Sequence, residues 1–147
     1  MEPIELYPFI PATASFKIWH PKDFIASESE DNIVTLDSLN LNSTLTVSGY
    51  HVNVTVTEEM LSDFFREITN SYTPLSEIKC VITGDRIWLE GDFRKEEVYW
   101  VWWALALSNQ IVLASINSKE KLSDAERHLY TFMIDKMEIY PAEFDEE

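Results

Sequence analysis

Three glycines in 147 residues are too few for a backbone cradle around phosphate. The sequence carries no Gly-x-Ser-x-Gly elbow, no phosphate loop and no dinucleotide fingerprint. The single cysteine, Cys80, excludes an internal disulfide and suits a reducing compartment. Basic residues are scarce too: eleven Lys and Arg face twenty-six Asp and Glu, for a formal charge of −15. Such a chain repels nucleic acid and anionic membrane, so neither is an expected partner, whereas basic surfaces are attracted. The longest apolar run, Val98 to Leu107, is half a membrane span. Met1-Glu2-Pro3-Ile4-Glu5 lacks the basic and apolar regions of a signal peptide. The expectation is therefore a cytoplasmic protein, in which Asn42-Ser43-Thr44 and Asn53-Val54-Thr55 match the glycosylation pattern by chance.

What is present is apolar and aromatic. Apolar residues make up 46% of the chain and aromatics 13%, which excludes a disordered acidic chain. The length fits one domain over residues 1–141, followed by an acidic tail at 142–147.

Two hairpins can be proposed from side-chain parity. Leu45 and Val47 fall on one parity, and Tyr50, Val52, Val54 and Val56 on the other. A loop at Ser48-Gly49 would pair Val47 with Tyr50, Leu45 with Val52 and Leu41 with Val56, restoring one apolar face. Thr44, Thr46, His51, Asn53 and Thr55 would then share the other face. Gly84-Asp85 is a better turn, with glycine first. It pairs Ile82 with Ile87, Val81 with Trp88, Cys80 with Leu89 and Lys79 with Glu90, and Glu90-Gly91-Asp92 then ends the strand.

Val98–Leu107 is apolar on both parities, as in a strand buried on both faces, although its Ala-Leu half also suits a helix. Strand is favoured, with a turn at Ser108-Asn109-Gln110 and a returning strand over Ile111–Ile116. Upstream, Ser15–Trp19 and Ile33–Leu36 read as strands separated by a solvated loop at Ser27–Asn32. Thr57 caps a helix whose stripe is Met60, Leu61, Phe64, Phe65 and Ile68. Ser123-Asp124-Ala125-Glu126 is a capping box for a second helix, with Ala125, Leu129, Phe132, Met133 and Met137 on its core side. Strands met in hairpins imply an α+β fold: an antiparallel sheet with two helices packed on it.

Catalytic constellations are missing. His20, His51 and His128 lie far apart, and Asp124 with His128 at i, i+4 reads as a pair of surface neighbours rather than a metal site. Cys80 has no base nearby in sequence and reads as a buried structural thiol. Glu58-Glu59, Glu96-Glu97 and Glu28/Glu30/Asp31 could each supply an acid and a base, but carboxylates are too common here to be informative. No catalytic residue, metal or cofactor is expected. In the aromatic group, Trp100 and Trp102 point one way on a strand and Tyr99 and Trp103 the other. Core packing is favoured over a ligand groove. From Lys22 to Arg66 there is no other Lys or Arg, while Asp23, Glu28, Glu30, Asp31, Asp37, Glu58, Glu59 and Asp63 fall inside.

As a class, a small, acidic, aromatic-rich domain without catalytic motifs resembles the immunity proteins that bacteria make against their own toxin domains. The resemblance implies a stoichiometric inhibitor seated on a basic toxin, often a nuclease in that class, with charge speeding encounter and aromatic anchors slowing release. Candidate partner contacts are Glu28, Glu30, Asp31, Glu58, Glu59 and Asp63; candidate anchors are Trp88, Trp100, Trp102 and Trp103. The alternatives are a small-ligand-binding or enzymatic α+β domain, with a Trp-lined pocket between sheet and C-terminal helix, and a DNA-mimicking protein of a virus or mobile element.

Overall fold

The computed structural model describes residues 5–142. Its elements run β1 (Leu6–Phe9), β2 (Phe16–Pro21), β3 (Phe24–Glu28), β4 (Val34–Ser38), β5 (Thr44–His51), α1 (Glu58–Thr69), β6 (Thr73–Pro74), β7 (Lys79–Thr83), β8 (Arg86–Lys95), β9 (Val98–Leu107), β10 (Gln110–Ser118), α2 (Asp124–Lys136) and β11 (Glu138–Ile139). An antiparallel sheet of eight strands has the order β3-β4-β5-β10-β9-β8, with β6 and β7 both paired along the outer side of β8. A small sheet, β1-β2-β11, stands apart from it. Among the described residues no helix is long and apolar enough to cross a membrane.

The architecture follows from strands that are apolar on both sides. On one face of the large sheet lie Trp88, Tyr99, Val101, Trp103, Leu105, Val112 and Ile116, which join Phe16 and Ile18 of β2 and Tyr130, Met133 and Ile134 of α2 in one core. On the other lie Ile87, Leu89, Phe93, Ala104, Ala106, Ile111 and Leu113, covered by Leu61 and Phe65 of α1. A sheet buried on both faces needs a layer on each, and the two helices supply them from opposite sides. The α+β expectation is met. So are both caps: Thr57 Oγ1 accepts the Met60 N–H and Ser123 Oγ the Glu126 N–H, each at 3.2 Å.

The register of the 79–90 hairpin is the expected one residue for residue, from Lys79 with Glu90 to Ile82 with Ile87. Val98–Leu107 is the expected strand. Four expectations are corrected. First, Ser48-Gly49 is not a turn: β5 runs through it, with Ser48 opposite Leu113 and Gly49 opposite Val112. Gly49 is there for a close approach, since a Cβ on it would lie 2.4 Å from Ser15 Oγ. Second, Glu90-Gly91-Asp92 does not end β8, which continues to Lys95 because Gly91 leaves room for the Phe93 ring where a Cβ would come within 2.9 Å. Third, Ser27 and Glu28 belong to β3, so the solvated loop shrinks to the residues between β3 and β4. Fourth, α2 buries Tyr130, Met133 and Ile134, with Met137 at its C-cap, while Ala125 and Phe132 face solvent. Met60, placed in the α1 stripe, is likewise exposed at the edge of that helix. Of the proposed tail, Ala142 gives its N–H to Asn109 Oδ1, and residues 143–147 lie outside the described residues.

Candidate functional site

α1 covers β8 and β9 but not the whole of its face of the sheet. Its Phe64 reaches Tyr50 of β5 edge-on, at 6.1 Å between ring centres. Beyond that contact the sheet lies bare. The register sets two cross-strand rows there: Ser27, Thr35, Thr46, Ser115 and Trp102, then Ile25, Asp37, Thr44, Asn117 and Trp100. The strand period of two places both rows on one face. The floor is thus lined by hydroxyls and an amide, with the Thr44 hydroxyl donating to Asp37 Oδ1 at 2.7 Å. β-Branched threonine satisfies the strand without demanding a covering layer, which is why this half can stay open.

Two half-buried indoles border the floor. Trp100 and Trp102 stack nearly parallel, 12° apart with centres at 5.9 Å, and Tyr72 stands edge-on to both. Lys95 Nζ sits 4.7 Å over the Tyr72 ring and donates to Ser71 Oγ. The Trp102 Nε1–H is buried and completes no hydrogen bond, although the indole opposes the rise that burial gives the Tyr72 phenol. The parity expected on β9 holds: Trp103 is core at 0% exposure, as is Trp88 of β8 at 6%, and both indoles pack into the core on the α2 side. Only Trp100 and Trp102 remain as anchors at a surface.

The acidic candidates do not converge. Glu28 accepts the Ala12 N–H with both oxygens at 3.0 and 3.2 Å, and Glu30 and Asp31 form the exposed β3–β4 tip. Glu58 faces β7 on the opposite flank, while Glu59 and Asp63 lie on the solvent side of α1. Cys80 is exposed on the edge strand β7, which corrects the buried-thiol expectation. Its Sγ donates to Glu58 Oε1 at 3.4 Å. Desolvation, then the bond to Glu58 and its charge, raise the thiol pKa, so this cysteine is accessible but not activated. Glu96 and Glu97 form the β8–β9 tip, and the described residues contain no cluster of three His, Cys, Asp or Glu able to hold a metal.

One charged constellation was missed by sequence reasoning. Under α2, the Arg127 guanidinium binds both oxygens of Asp92 at 2.9 and 3.0 Å, together with Glu90 and the Tyr99 hydroxyl. Tyr99 donates to Asp92, and Trp88 Nε1 donates to Glu90 at 2.9 Å. Burial works to raise the Asp92 carboxyl, but the bonds from Arg127 and Tyr99 outweigh it and hold the pKa below the usual range. Burial, then the bond to Asp92, push Tyr99 up to about 12. Both carboxylates are committed to one guanidinium, so the network clamps helix to sheet rather than offering a free acid and base. The available signal was parity: Glu90 and Asp92 share the inward side with Trp88, and a carboxylate there needs a partner.

No family model matches the chain, and no curated protein matches it in sequence. Solved structures do match in fold. The solution structure of a cyanobacterial PsbP (CyanoP) from Synechocystis superposes with a TM-score of 0.70 at 10% identity, covering 95% of each chain. A crystal structure from Bacteroides thetaiotaomicron gives 0.65 at 16% identity, covering 95% of this chain and 50% of the other. The fold is therefore PsbP-like. That finding overturns the toxin-inhibitor reading, which rested on acidity and missing motifs; neither of those specifies a fold.

Proposed function

We propose that the chain is a binding protein of PsbP-like fold whose working surface is the open half of the sheet, and that it engages a basic segment of another protein. The single observation that carries this reading is the uncovered hydroxyl-lined floor ending at the stacked Trp100 and Trp102. Half-buried indoles beside a hydrogen-bonding floor have the composition of an interface centre. The sign of the partner is argued from charge. Asp37 lies in the floor, Asp63 and Glu67 lie on the neighbouring helix, and no Lys or Arg occurs between Lys22 and Arg66. A cytoplasmic, reducing setting agrees with an exposed thiol that has no internal partner.

The test is a partner that co-purifies at a one-to-one ratio, followed by binding kinetics. Trp100→Ala is expected to raise the dissociation rate by about tenfold or more. Asp37→Asn with Asp63→Asn and Glu67→Gln is expected mainly to slow association, an effect that vanishes at high salt. A partner indifferent to both sets would refute this surface.

A further inference from the structure

A second concavity lies on the α2 side of the sheet, at the end where β5 and β10 meet. Its volume is about 720 Å³, within the range of small-molecule sites. Gly49, His51 and Gln110 form the floor, sharing one parity across the β5–β10 register, and Thr13, Ser15 and Tyr140 stand around it. The walls are tied to one another and to the β9–β10 turn. The Tyr140 N–H donates to the Ser15 carbonyl at 3.0 Å, and the Ala142 N–H to Asn109 Oδ1 at 3.0 Å.

The chemistry of the lining is specific. Gln110 is 3% exposed, and its amide nitrogen is spent on the Tyr50 and Ile111 carbonyls at 2.9 and 3.1 Å. That fixes the amide and leaves Oε1 as an acceptor without a donor among the described residues. The Thr13 and Ser15 hydroxyls lie 3.0 Å apart, so one donates to the other and one proton stays free to donate outward. Among the described residues no carboxylate, ammonium or guanidinium lines the cleft, in a chain of charge −15. His51 and Tyr140 add aromatic surface at its mouth.

We propose that this cleft binds a neutral sugar of one or two rings. A sugar carries hydroxyl donors for Gln110 Oε1, hydroxyl acceptors for the Thr13–Ser15 pair and an apolar C–H face for an aromatic wall. A charged ligand would find no carboxylate, ammonium or guanidinium there among the described residues. Gly49 keeps the floor open, because any side chain would collide with Ser15. The site is separate from the open sheet face and does not depend on the protein-binding role.

The experiment is an NMR titration of the full chain with glucose, maltose and N-acetylglucosamine. Binding of at least one sugar should shift the Gln110 side-chain amide and His51 ring signals saturably, in the millimolar range. Thr13→Val and Tyr140→Ala, both at exposed positions, should weaken it about tenfold each without unfolding the chain. Absence of saturable shifts with all three sugars would overturn the proposal. So would shifts confined to the Trp100 and Trp102 indoles, or tighter binding of adenosine or gluconate than of any sugar.

Discussion

Arg127 carries more consequence than any other single side chain. It is three-quarters buried, and it neutralises two carboxylates whose side chains are only 11% and 19% exposed. Arg127→Met keeps the bulk but leaves Glu90 and Asp92 side by side without a counter-ion, and should cost about 3–5 kcal/mol in urea denaturation. Arg127→Lys should recover only part of this, since a point charge cannot fork between two acceptors. The network also sets a pH dependence. Asp92 has a folded pKa below its unfolded value, so its contribution is complete above about pH 4 and disappears as pH falls through the folded pKa. Tyr99 works at the other end: its contribution is complete below about pH 10 and lost as pH rises through about 12. Denaturation from pH 7 downward should show a shallower slope in Asp92→Asn. At Cys80, native protein should be fully labelled by a maleimide, more slowly than a free thiol, and Glu58→Gln should speed the reaction by removing the charge that opposes the thiolate. A thiol that resists labelling until the chain unfolds would contradict its exposed position.

Turns are where single elements store strain. Glu96 and Glu97 both have positive φ, 51° and 66°, in the two-residue turn between Lys95 and Val98. That backbone favours Asn-Gly, and Glu carries a steric cost there. Replacing the pair by Asn-Gly should stabilise the protein by about 1 kcal/mol, read as a shift in thermal midpoint; a loss of stability would mean the glutamates make contacts that outweigh the strain. This turn was not legible in the sequence, because nothing about Glu-Glu announces it. The 79–90 hairpin was, since glycine-first turn chemistry and a Lys79–Glu90 pair agree on one register. Ser48-Gly49 misled because glycine marks a turn and a close approach equally well, and Ser15, which decides between them, is remote in sequence. The tryptophan parities were legible from β9 alone. The open floor was not: it exists only once β3, β4, β5 and β10 align, and those pairings are long-range. Of the strands not expected, β1, β6 and β11 are too short to show a period, and the polar end of β3, Ser27-Glu28, reads as loop.

On the scale of the whole molecule, the two helices divide the labour unequally. α2 with the small sheet closes one face, while α1 closes only part of the other, leaving both the hydroxyl floor and the tryptophan border in reach of solvent. The β8–β9–β10 meander through the middle has ten-, ten- and nine-residue strands joined by two-residue turns. Its strands pair with their sequence neighbours through short turns, so closing it forfeits less chain entropy than the other pairings. β5 must instead reach β10 past α1 and the 79–95 hairpin, and β11 must return across nearly the whole chain to β2. The meander is therefore expected to form first, with the N-terminal strands and β11 the last to dock and the first to leave. Native-state hydrogen exchange should find the amides of Trp103 and Val112 released only by global unfolding, and those of Lys17 and Ile18 released through a cheaper local opening. Equal protection in both places would deny that order. If it holds, the sugar cleft, one of whose walls begins at β11, assembles only at the final step, and its ligand would report on completion of folding.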